Sequence, residues 1–111
     1  MALIAGEMNL GVYEERAGRY RWRLWSGLRL VAVSGASFDD RLDAGLAALC
    51  FRADAYDAAY DVFASEGSWY WEARDGTGGR LAIASRAFDS PFNAKHAAAY
   101  VSNHVARATF A

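Results

Sequence analysis

Arg19–Trp25 reads RYRWRLW, and Ser68–Arg74 reads SWYWEAR. Side chains of a strand point alternately to opposite faces. That alternation sets Tyr20, Trp22 and Leu24 on one side of the first stretch, and Arg19, Arg21, Arg23 and Trp25 on the other. In the second stretch Trp69, Trp71 and Ala73 share a face opposite Ser68, Tyr70, Glu72 and Arg74. An apolar face backed by a polar one is the pattern of an antiparallel sheet covered on one side only.

The two stretches are the middle of a longer likeness. Val12-Tyr13 corresponds to Val62-Phe63, Gly18 to Gly67, and Leu30–Ser34 (LVAVS) to Leu81–Ser85 (LAIAS). Phe38-Asp39 matches Phe88-Asp89, and Ala44 with Ala48 matches Ala94 with Ala98. The offset stays between 49 and 51, drifting only where loops fall. An ordered set of this kind marks an internal repeat.

Each repeat parses as three strands and a helix. The first strands, about Leu10–Glu14 and Tyr60–Ala64, are rich in strand formers. Arg16-Ala17-Gly18 and Ser65-Glu66-Gly67 then turn the chain, with glycine supplying the backbone freedom of a tight hairpin. Ser26-Gly27 and Asp75–Gly79 make the second turns, and the third strands run about Arg29–Ser34 and Arg80–Ser85. Asp40 and Ser90 are helix caps, Pro91 suits a first helical position, and Asp39 and Asp89 complement the helix start. Ala44, Ala48, Phe51 and Ala55 recur at helical spacing, as do Ala94, Ala98, Val101 and Val105, and these stripes face the sheet. Leu42, Leu46 and Leu49 are expected to widen the first apolar face, whereas Phe92, His96 and Ala99 make the second flank more polar. Ala53–Ala59 links the repeats. The fold class is therefore α+β: two tandem β-β-β-α repeats, residues 9–53 and 59–106 of a single domain spanning 1–111. Six antiparallel strands carry two helices, with internal pseudo-two-fold symmetry.

Composition narrows the function classes. Twelve basic and thirteen acidic residues leave a formal charge of −1, which gives no global drive toward nucleic acid or anionic membrane. No apolar run approaches a membrane span, and Met1–Ala5 lacks the basic flank of a signal peptide. Cys50, the single cysteine, can form no internal disulfide, and its neighbours Leu46, Leu49 and Phe51 suggest a small buried hydrophobe. Cysteine usage and the lack of an export signal point to the cytoplasm.

The ordered pattern resembles the YegP-like family of small, mostly uncharacterised proteins with one or two β-β-β-α repeats. The resemblance rests on Val12-Tyr13, Gly18, Tyr20–Leu24, Gly27, Val31–Ser34, Phe38 and Ala44. In the second copy it rests on Phe63, Gly67, Trp69–Trp71, Leu81–Ser85, Phe88, Ser90 and Ala94. Family members typically carry Asn-Gly before the third strand, where this chain has Ser26-Gly27 and the longer Asp75–Gly79 turn. The resemblance implies that single-repeat members pair as dimers and that tandem members build the same arrangement within one chain, a monomer with an internal pseudo-dimer or a weak homodimer. It implies no activity, catalytic residue or cofactor.

The chemistry on offer is that of binding. Arg19, Arg21 and Arg23 interleave with aromatics, as on strands that engage phosphates and stack bases. Yet Tyr20 and Trp22 point away from the arginines, and the second copy replaces the cluster with Tyr70 and Glu72. His96 and His104 lie eight residues apart, not the one-turn spacing of a metal pair. Ser34 and Ser85 lack a histidine partner, and Gly76–Gly79 lacks the lysine of a phosphate loop. No catalytic constellation, metal site or cofactor motif is read. The leading expectation is a non-enzymatic module that binds a protein partner through a sheet face bearing Arg21, Arg23, Trp25, Tyr70 and Arg74. Packing between the repeats could instead cover part of that face. A nucleic-acid module using Arg19, Arg21 and Arg23 is the alternative, and a small-molecule enzyme comes third.

Overall fold

A computed structural model describes residues 7–110. The elements run β1 (Met8–Arg16), β2 (Arg19–Ser26), β3 (Arg29–Ser34), α1 (Arg41–Asp54), β4 (Ala59–Ser65), β5 (Ser68–Arg74), β6 (Arg80–Ala84), α2 (Pro91–His104) and β7 (Thr109–Phe110). A short 3-10 turn follows each helix. The apolar segment Met1–Ala5 lies outside the described residues. In the β4–β5 hairpin both Glu66 and Gly67 take positive φ, 51° and 81°, the conformation that matches a two-residue turn to the twist of its strands.

The strands form one sheet in the order β4-β5-β6-β3-β2-β1-β7. Two antiparallel meanders meet at its centre, where β3 and β6 pair with Ala32 opposite Ala84, Val33 opposite Ile83 and Ser34 opposite Ala82. The seam is tight at one end. The Gly35 N–H donates to the Leu81 carbonyl at 3.1 Å. A Cβ on Gly35 would stand 2.5 Å from the Arg80 carbonyl oxygen, so only glycine lets the two strands approach this closely. At the other end the Ser85 hydroxyl donates to the Leu30 carbonyl at 2.8 Å.

Both helices cover the same face of the sheet. Asp40 caps α1 by accepting from the Asp43 N–H at 2.8 Å, and Ser90 caps α2 by accepting from Asn93 at 3.1 Å, with Pro91 in the first turn. Ala44, Ala48, Phe51 and Ala55 are buried on one side, and Ala94, Ala98, Val101 and Val105 on the other. The alanines bring the helices close, and the strand aromatics fill the remaining volume. Trp22 stacks on Phe51 with ring centres 5.0 Å apart, while Trp71 meets Tyr60 at 5.9 Å in a tilted pair. The Tyr60 hydroxyl donates to the Ala55 carbonyl at 2.8 Å, and burial pushes its pKa up from 10.0 to about 12.

Three expectations need correction. The sheet has a seventh strand, and it is not wholly antiparallel: Thr109–Phe110 runs parallel to β1. Arg52 holds that segment in place by donating to the Ala108 carbonyl at 3.0 Å, and a two-residue strand has too little pattern to be read from sequence. Leu42 and Leu46 do not widen the buried face; they are 70% and 52% exposed. Each lies two positions from a stripe alanine, about 160° around the helix, and so points away from the sheet. For the same reason Cys50 is exposed rather than buried, standing beside Phe51 but about 100° around the helix from it.

Phe51→Ala is expected to cost about 3–5 kcal/mol in urea unfolding, because it removes the ring that closes over Trp22. Leu28→Ala, at a side chain 99% exposed, should change stability by no more than about 0.5 kcal/mol.

Candidate functional site

The face of the sheet away from the helices is uncovered among the described residues, and the register dictates what it displays. One row across it runs Asp61, Glu72, Ile83, Val33, Arg23, Gly11. An apolar centre from the β3–β6 seam is thus flanked by a carboxylate on β5 and a guanidinium on β2. These lie three strand steps, or about 14 Å, apart.

On the β2 side the Arg23 guanidinium lies over the Tyr13 ring at 4.5 Å and beside the Trp25 ring at 5.5 Å. Among the described residues no carboxylate lies within ion-pair distance of it. Its neighbours along the strand are committed elsewhere. Arg19 pairs with Asp39 and reaches the Ser37 hydroxyl. Arg21 lies 3.3 Å from the Glu15 carboxylate and donates to the Ser34 carbonyl at 3.0 Å.

On the β5 side the charges form a closed cluster. Glu72 is 5% exposed and accepts from Arg74, while Arg80 Nε stands 2.9 Å from its other oxygen. Arg74 also approaches Asp61 at 3.7 Å and donates to the Gly78 carbonyl. Tyr70 stacks on Phe63 at 5.8 Å. The five residues singled out from sequence therefore share a face but form two groups, Arg21/Arg23/Trp25 and Tyr70/Arg74, with β3 and β6 between them. Trp25 and Tyr70 are half-buried.

A second feature escaped the sequence reading. Between α2 and the β3 end of the sheet lies a groove of about 990 Å³. Trp71 and Val101 close its bottom, Val31, Phe88 and Ala97 form walls, and Arg29 and Arg86 stand on its rim. The available signal was a difference between aligned helices: α2 carries Val101 where α1 carries Phe51, the ring that fills the corresponding space over Trp22.

The remaining candidates have local partners. Ser34 is buried and donates to the Ala36 carbonyl at 2.7 Å. Asp89 accepts from the Asn93 side chain at 2.9 Å. His96 stacks near Phe92, and His104 on Tyr100 at 4.3 Å. Among the described residues no three metal-ligating side chains gather, and no helix is long and apolar enough to cross a membrane. Asp75 organises its turn by accepting from the Thr77 hydroxyl and from the Thr77 and Gly79 N–H groups, and these bonds, the hydroxyl's first, lower its pKa.

The architecture defined here is an α+β fold with a seven-stranded, mostly antiparallel sheet and two helices on one face. Two proteins of known solution structure share it. UPF0339 protein SO3888 from Shewanella oneidensis superposes with a TM-score of 0.76 at 10% identity, over 94% of this chain and 89% of that one. The protein of unknown function yegP from E. coli superposes with a TM-score of 0.72 at 16% identity, over 99% and 94%. The resemblance to YegP-like proteins thus holds at the level of the fold. No family model and no curated protein matches the chain by sequence.

Arg74→Ala combined with Arg80→Ala leaves the Glu72 carboxylate buried without a cation. Chemical denaturation should show a loss of about 3–5 kcal/mol, well beyond that of either single variant.

Proposed function

We propose that the chain is a tandem duplication of one strand–strand–strand–helix unit, residues 9–53 and 59–106 of a single domain, and that it serves as a non-enzymatic interaction module. The meanders leave the β3–β6 seam in mirrored order, and Trp22 with Trp71 and Ser34 with Ser85 hold matching places on either side, which supports the duplication. The partner is a protein that docks on the open sheet face. The observation that carries this reading is the Arg23 cluster: a guanidinium packed between Tyr13 and Trp25, unpaired with any acid among the described residues, beside the apolar Val33 and Ile83. Aromatics and arginine around an apolar centre are the composition of interface cores. Nucleic-acid binding has less support, because two of its three arginines are committed to Asp39 and Glu15. The cysteine usage supports a cytoplasmic setting.

The test is affinity capture from native lysate with three baits: wild type, Trp25→Ser/Tyr70→Ser, and Leu42→Ser/Leu46→Ser on the helix side. A protein held by the first and third baits and released by the second is expected. An identical captured set from the first two would contradict the reading.

A further inference from the structure

We propose that the groove beneath α2 is a binding site for a small aromatic carboxylate. Its volume of about 990 Å³ lies at the upper end of the range typical of small-molecule sites, and its lining is mainly apolar. A flat ring would lie on Trp71 and Val101, between Val31 and Phe88.

Charge selects the other end of the ligand. The β3–β6 pairing and the Ser85 bonds to Val31 and Leu30 bring Arg86 alongside the start of β3, where Arg29 stands. Among the described residues neither arginine has a carboxylate within ion-pair distance. Arg86 lies over the Phe88 ring at 5.3 Å, which directs its guanidinium along the groove wall. Glu7 shares the rim, so the two arginines leave the mouth net positive, and His96 beside them adds no negative charge.

The aligned sequence explains why these cations are available. Arg29 corresponds to Arg80, which is neutralised by Glu72 at 2.9 Å; the position matching Glu72 in the first half is Arg23, so Arg29 has no such partner. Arg86 corresponds to Gly35, where the seam admits no side chain at all. Val101 in place of Phe51 supplies the space. Three separate departures from the repeat converge on one groove. A carboxylate held by two guanidinium groups satisfies both and adds the orientation that the apolar walls cannot give.

Naphthalene-2-carboxylate and its neutral counterpart naphthalene-2-methanol are suitable probes, titrated at low salt by NMR with the Trp71 indole and Val101 methyl signals as reporters. The carboxylate should bind at least about tenfold more tightly than the alcohol. Arg29→Gln/Arg86→Gln should abolish that preference while leaving alcohol binding unchanged, and Ala97→Phe, which fills the groove, should weaken both. Folding of each variant is checked from the dispersion of the same spectra. Equal affinity for the two probes, a preference that survives the double arginine variant, or no saturable shift at Trp71 and Val101 would overturn the proposal.

Discussion

The antiparallel pairing of β3 with β6 is the constraint on which everything else rests. It turns two three-stranded meanders, each too small to bury both faces of a tryptophan, into one sheet wide enough for two helices. Trp22 and Trp71 then stand on either side of the seam, each 1% exposed. The seam is made of small residues on the helix side, Ala32, Ala82 and Ala84, and of Val33 and Ile83 on the open side. Small residues there let the buried tryptophans and helices close over the centre, while the branched pair leaves an apolar strip facing outward.

The two halves use that common frame differently. In the first, Phe51 fills the space above Trp22, and Arg19 and Arg21 are spent on local partners, whereas Arg23 and Arg29 have no carboxylate within ion-pair distance among the described residues. In the second, a buried carboxylate gathers two arginines on the open face, and the smaller Val101 leaves a groove on the helix face. A buried Glu72 is costly to desolvate and is tolerated because both of its oxygens meet guanidinium groups. The aromatic pillars Trp22 and Trp71 are common to both halves, and the positions where the halves diverge carry the unpaired arginines and the groove.

Much of this was legible in RYRWRLW and SWYWEAR. Alternation placed Trp22, Leu24, Trp71 and Ala73 in the core, and the helix stripes and the caps at Asp40 and Ser90 followed from spacing and residue type. What the sequence withheld was of three kinds. A two-residue parallel strand at Thr109–Phe110 depends on a contact about a hundred residues away in the chain, with Asn9. The exposure of Leu42, Leu46 and Cys50 follows from their angular position on the helix, well off the Ala44, Ala48 and Phe51 stripe, which hydrophobicity alone does not encode. The pairing of Arg21 with Glu15 and of Arg80 with Glu72 depends on strand register, so alternation could place the arginines on a face but not say which were free. The groove needed a comparison of the two halves for their differences rather than their likeness.

Native-state hydrogen exchange at the seam tests the account most directly. If β3–β6 pairing unites the two halves, the hydrogen-bonded amides of Ala32–Ser34 and Ala82–Ala84 should exchange only through global unfolding, with protection matching the stability from urea denaturation. Exchange of the β6 amides through a separate, lower-energy opening, with β1 and β2 still protected, would mean that the halves fold independently and would contradict it.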